Sequence, residues 1–209
     1  MTNWKTLKVP NEPVIKIVAA SYLNNNPSRF ELTKSFIHSI KAQTYKNYKL
    51  IVVHDGPIEN EYIKNKFHSF KDSNIEMYET PERVDKYGYP HRKKYAFMDQ
   101  NFDWLLYTND DNYYVPVAME AMLFTGITYN SSIVYCNMIS SHSMWLPLIT
   151  EFKAEKLDLG GFIMSKEIGK KYNFDLSGDC FLSDAKLIER ISSNKESIKK
   201  VNNFLYIHN

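Results

Sequence analysis

Two cysteines in 209 residues, Cys136 and Cys180, give neither a disulfide framework nor the paired spacing of a zinc site. That scarcity fits a reducing compartment. Charge of one sign is also scarce. Lys and Arg number 26 against 24 Asp and Glu, a formal net charge of +2. Such a balance is too near neutrality to make nucleic acid the main partner. No apolar run approaches the roughly 20 residues that span a bilayer. The stretch Met1–Pro13 is polar, without the apolar core of a signal peptide. Repeats and low-complexity tracts are absent too. These absences leave a soluble, cytoplasmic protein as the expectation. The chain is 44% hydrophobic and 24% charged, which supports a sizeable core. Its length suits a single domain. Aromatics are plentiful, with 15 Tyr, 12 Phe and 3 Trp, and serve a core or a surface that stacks on bases and sugar rings.

Hydrophobic patterning predicts an alternation of strands and helices. Val14–Ala20 is a short β-branched run and reads as a buried first strand. A polar loop, Ser21–Pro27, follows. Ser28 with Glu31 forms a capping-box pattern that opens a helix with Leu32, Phe36 and Ile40 on one face. The helix ends at Thr44–Tyr48, and Lys49–Val53 is a second strand closed by His54-Asp55-Gly56-Pro57. Strand, helix, strand implies a βαβ unit with a right-handed crossover and a parallel sheet. Further on, helices are predicted over 59–70, 91–101, 116–129 and 166–172, and from a Ser183 cap to Ser192. Strands are predicted over 75–78, 104–107, 132–136 and 203–208, with another entered from Gly160-Gly161. Residues 80–90 and 137–156 read as loop and irregular chain.

The stretch Asp103–Pro116 organises the rest. Trp104-Leu105-Leu106-Tyr107 has the composition of a buried strand. It gives way to Thr108-Asn109-Asp110-Asp111-Asn112. Two adjacent carboxylates at a strand exit are costly unless compensated. One could hold a divalent cation while the other accepts hydrogen bonds from hydroxyls, and ligands bind at such carboxyl ends in open α/β sheets. An Asp/Asn turn with nothing bound is the plainer alternative.

Taken in order, these stretches resemble the family 2 glycosyltransferases of the GT-A fold. The matching segments are Ile15–Ala20 with Ser21-Tyr22, then Gln43–Tyr48, then Leu50–Gly56, then Leu106–Asn112, then Ser183-Asp184-Ala185-Lys186. Asp110-Asp111-Asn112 followed by an aromatic and a proline is most similar to the SpsA-like branch. The resemblance spans essentially the whole chain. It departs at His54 and Thr108, where the family more often has Asp, and at Leu23, where it has Asn. It implies an α/β GT-A fold: a Rossmann-like, mostly parallel central sheet flanked by helices, with residues 1–112 as the nucleotide half and 113–209 as a smaller acceptor half. A sugar-phosphate nucleotidyltransferase is disfavoured, because the loop Ser21–Asn26 lacks the glycines that open that class.

The resemblance also implies roles. A nucleotide-diphosphate sugar would be the donor, UDP or dTDP by preference, and a glycan or other hydroxyl the acceptor. Mn²⁺ or Mg²⁺ would neutralise the leaving diphosphate. Asp111 would hold the cation, with His208 near it, and Asp110 would face ribose or sugar hydroxyls. Asp55 would accept the imide N–H of uracil or thymine, and Ser21 and Tyr22 would border the base. Arg92, with Lys94 next, would hold the diphosphate. Asp184 would be the base of an inverting displacement, with Asp179 its rival, and Asp158 with Gly160 and Gly161 would border the acceptor. Each has a plainer reading. Asp55 suits an Asp-Gly turn, Tyr22 a core position, and Arg92 and Lys94 a solvated helix start. Asp184 suits the first turn of a helix, the two glycines a chain turn, and His208 a solvated terminus. Lys195, Lys199 and Lys200 beside Ile198, Val201 and Phe204 suit a peripheral contact with an anionic membrane or a solvated helix face.

Overall fold

The computed structural model describes residues 12–177 and 182–209. Strand β1, Ile15–Ser21, is buried along its whole length. Helix α1, Pro27–Lys41, returns the chain to β2, Tyr48–His54, which lies parallel to β1. Helix α2, Glu61–His68, leads to β3, Ile75–Glu79, parallel to β2. The chain then crosses through α3, Tyr89–Ala96, to β4, Trp104–Asn109, on the other side of β1. The order β3-β2-β1-β4 therefore reverses direction between β1 and β4. A crevice outside the carboxyl ends of two such strands is where open α/β sheets bind ligands.

The second half is mixed rather than parallel. It comprises β5 (Tyr113–Tyr114), α4 (Ala118–Thr128), β6 (Ile133–Ser140), β7 (Leu146–Leu148), β8 (Phe162–Ser165), α5 (Lys166–Lys171), α6 (Ser183–Ser192) and β9 (Ile198–His208). Strand β8 runs antiparallel to both β4 and β6. Strand β9 runs parallel to β6 and antiparallel to β5. The sheet of nine strands among the described residues has the order β3-β2-β1-β4-β8-β6-β9-β5, with β7 on β6. Alternation along β1 sends Ile15, Ile17 and Ala19 into a core with α1 and α4, and Val18 into a second core with α6 on the opposite face.

Several local expectations change. Helix α1 is capped by Asn26, whose side chain accepts from the Ser28 N–H at 2.9 Å. Pro27 takes the first turn, where its missing N–H costs nothing, so Ser28 and Glu31 sit inside the helix. Pro90 likewise lets α3 begin at Tyr89, and α3 ends at Ala96, short of the predicted 101. Ser183 is the first residue of α6 and not its cap; its hydroxyl donates to the Asp175 carbonyl. The region predicted irregular holds the end of β6 and the hairpin partner β7. Lys199 and Lys200 lie in β9 rather than on a helix face. There Lys200 Nζ donates to the Thr150 carbonyl at 2.6 Å. Among the described residues no helix is long and apolar enough to cross a membrane.

Candidate active site

A cavity of about 350 Å³ opens at the carboxyl ends of β1, β2 and β4. Asp55 follows β2 and is buried. Its Oδ1 accepts from the Val84 N–H at 2.8 Å and lies 2.7 Å from His91 Nε2, a donor to a carboxylate that only accepts. Its Oδ2 accepts from the Asp85 N–H at 3.0 Å. Burial alone would raise this carboxyl, but the three donors outweigh it and hold Asp55 below the usual range. Asp55 thus ties the segment 83–88 over the cavity. That segment is tightly wound, with φ of 52° at Asp85, 53° at Tyr87 and 71° at Gly88. A Cβ on Gly88 would stand 2.2 Å from the Ala20 Cβ, so the segment reaches β1 only through glycine.

Tyr22 lines the same cavity. Its ring stacks near His54 at 5.9 Å, and the Arg83 guanidinium lies 3.9 Å from its centroid. A base that stacks on Tyr22 shares that ring with Arg83. Asp110 is buried, and its Oδ2 accepts from the Thr33 hydroxyl of α1 at 2.5 Å. Burial pushes its carboxyl up to about 6, although the Ser21 and Thr33 hydroxyls ease the charge. The Ser21 hydroxyl itself makes no hydrogen bond of ordinary geometry, a buried polar group facing this carboxyl. Asp111 is more open. Its Oδ2 lies 3.6 Å from Arg29 Nη1, and its carboxyl is raised by burial, with Arg29 and His208 working the other way.

A second cavity of about 520 Å³ adjoins the first, and Tyr87 and Asn109 border both. Arg92 lines it and is 2% exposed. Its Nε donates to the Thr108 carbonyl at 3.0 Å, Nη1 to the Tyr87 carbonyl at 2.8 Å and Nη2 to the Asn109 side chain. None of these partners is a carboxylate. Burial lowers the guanidinium's proton affinity, while Tyr89, Asp158 and Asp184 support its charge.

Asp184, in the first turn of α6, faces this second cavity. Burial raises its carboxyl and nearby Asp158 adds to that, against the Ala185 N–H at 2.7 Å. Asp158 Oδ1 accepts from the Gly160 N–H at 2.8 Å and from the Tyr206 hydroxyl, and its Oδ2 lies 3.5 Å from His208 Nε2. His208 also approaches the Ser140 hydroxyl at 3.3 Å. It reaches this place because β9 slips in register against β6 around Asn137, which sets His208 rather than Leu205 opposite Ser140.

The sequence-predicted residues Ser21, Tyr22, Asp55, Asp110 and Asp111 meet at the first cavity, and Arg92, Asp158, Asp184 and His208 at the second. Lys94 does not join them. It lies about 200° round α3 from Arg92 at 100° per residue, is exposed, and sits over the Tyr95 ring. Gly160 and Gly161 do not border the cavity as a ligand approach. They are packing positions: a Cβ on Gly160 would meet the Tyr206 ring at 2.6 Å, and one on Gly161 the Leu157 side chain at 2.9 Å. The rival base, Asp179, lies outside the described residues. Sequence reasoning missed Arg29, Arg83 and His91. Arg29 stands in the first turn of the helix that follows β1, a position that faces the strand ends, and this is the signal that could have found it. Among the described residues no three His, Cys, Asp or Glu side chains form a ready-made cation site. One open carboxylate completed by diphosphate oxygens and water still suits a hard cation.

No family model and no curated protein matches the chain. Solved structures do. A crystal structure of S. aureus TarS residues 1–349 in complex with UDP matches with TM-score 0.72 and 12% identity, covering 92% of this chain and 59% of that one. The same protein in complex with UDP-GlcNAc matches with TM-score 0.69 and 12% identity, covering 92% and 57%. The chain thus spans less than two thirds of the length of these neighbours. It shares their fold, and the expected α/β architecture of GT-A type holds.

Proposed function

We propose that the chain is a metal-dependent, inverting glycosyltransferase of the family 2, SpsA-like type. It would move a sugar from a UDP- or dTDP-sugar to a hydroxyl acceptor. The observation that carries this reading is Arg92, a buried guanidinium of the second cavity that bonds to Tyr87 and Asn109, the two residues bordering both cavities, and whose hydrogen bonds go to carbonyl and amide oxygens alone. A diphosphate placed there would supply the missing anion in a bidentate contact. The first cavity carries Asp55, Asp85, Asp110 and Asp111 against Arg29 and Arg83. A diphosphate would meet net negative charge in it. A Mn²⁺ or Mg²⁺ ion held by Asp111, with His208 near it, would offset that charge and make the diphosphate a better leaving group. Asp55 has roughly one of its four acceptor positions left for a pyrimidine imide N–H. The UDP complexes of the structural neighbours favour uridine. Ordered sequence motifs, rather than overall identity, support the family assignment.

Asp184 is the base of this reading. Burial and Asp158 raise its carboxyl, which moves it toward the range useful for proton abstraction. The acceptor hydroxyl would lose its proton to Asp184 as it attacks the anomeric carbon, and the nucleoside diphosphate would leave on the opposite side. The rival reading, a binding domain without turnover, draws on the Asp184 carboxylate accepting from the Ala185 N–H of its own helix. UDP release from UDP-hexoses with Mn²⁺ separates the two. Asp184→Asn should keep UDP binding and lose turnover by about 10²–10⁴-fold. Unchanged turnover would remove Asp184 as base. UDP binding without release by the wild type would leave the binding domain.

A further inference from the structure

The second cavity has a charge and a shape that constrain what enters it. Glu155, Asp158 and Asp184 face it beside His142 and His208, and Arg92, which also lines it, is the residue that the proposed function gives to the donor diphosphate. An acceptor bearing phosphates or carboxylates would meet three carboxylates there. The outer wall is apolar. Register pairs Met138 with Leu148 and Ser140 with Leu146 across β6 and β7. Cross-strand partners share a face of the sheet, and Met138, Ser140 and Leu148 all line the cavity. Leu146, 55% exposed, therefore extends the same face outward past the mouth. Beside it the hairpin tip exposes Met144 at 81% and Trp145 at 54%, and Ile149 follows β7 at 71%. Met144 and Trp145 have φ of 53° and 62°, a left-handed pair without glycine. A tight turn that also exposes large apolar side chains is costly and is retained where it serves a contact.

We infer that the second cavity takes an uncharged hydroxyl-bearing headgroup joined to an alkyl chain, the headgroup at Asp184 and the chain along the shelf from Leu148 to Leu146. This rests on the glycosyltransferase reading and names its acceptor class. The shelf is continuous with the cavity, and its apolar area is what an alkyl chain would cover. Octyl, methyl and 6-phospho-hexosides of one sugar are the probes, used below micelle concentration with a UDP-sugar and Mn²⁺. The octyl glycoside should show a KM about tenfold below the methyl glycoside, the effect of roughly two methylenes leaving water. The phosphorylated glycoside should be the poorest of the three. Leu146→Ser and Leu148→Ser should each bring the octyl KM up toward the methyl value. Equal KM for octyl and methyl glycosides, or preference for the phosphorylated one, would overturn the inference. UDP binding by calorimetry on the same proteins reports separately on the donor reading. A protein that binds UDP but ignores the alkyl chain fails only here.

Discussion

At the end of β2 His54 precedes Asp55 and Gly56, and its bonds fix its protonation state. His54 Nδ1 donates to the Gly56 carbonyl at 2.8 Å, and Nε2 accepts from the Leu23 N–H at 3.0 Å. Only the neutral ring does both. Burial lowers its proton affinity below the ordinary 6.5. The unfolded chain therefore takes up the proton first as pH falls. The His54 contribution to stability is full above about pH 6.5, shrinks below it, and is lost once pH passes the depressed folded value. Asp110, raised to about 6, acts in the opposite sense over a neighbouring range. The check is a variant comparison: urea unfolding from pH 7.5 to 5, wild type against His54→Gln. The stability gap between the two should narrow as pH falls. A gap independent of pH would contradict the assigned tautomer. Sequence alone shows the histidine but not this role, since the partners are backbone groups brought in by the fold.

Among the elements, β9 does most to complete the site. A final strand was legible in its last six residues, where the run Phe204–Ile207 lies between Asn203 and His208. Its start was not, because Ile198–Asn203 is polar and half exposed and pairs with β6 only through tertiary contact. The two-residue β5 was invisible because two residues show no alternation and it forms only by pairing with β9. The N-cap of α1 was misplaced by two residues, since the Ser28–Glu31 pattern imitates a capping box inside a helix that Pro27 had already begun. In the packed site Tyr206 of β9 lies against Gly160 and donates to Asp158. Gly160→Ala should therefore destabilise the fold by about 1–3 kcal/mol, an overpacking cost, and displace Asp158 and His208 together. Denaturant midpoints measure the first, and KM for the acceptor reports the second. An unaffected midpoint would show that Tyr206 has room to move.

On the scale of the whole molecule, the parallel half was legible because its strands are buried on both faces and so are continuous apolar runs. The meeting of Ser21, Asp55, Asp110 and Asp111 at one cavity followed from the strand order. What sequence could not give was the direction of each side chain. Arg92 turns inward and Lys94 outward on the same helix, Asp110 turns to Thr33, and Asp55 is largely spent on the segment it anchors. Under the proposed function, uridine diphosphate binds in the first cavity through a cation on Asp111 and reaches past Tyr87 and Asn109 to Arg92 of the second. Titration of UDP by calorimetry, with Mn²⁺ and with EDTA, on wild type and Asp111→Asn tests it most directly. The account predicts binding that needs Mn²⁺ in the wild type and weakens at least about tenfold in Asp111→Asn, a loss of roughly 1.4 kcal/mol. Failure of the wild type to bind UDP with or without the metal would contradict it.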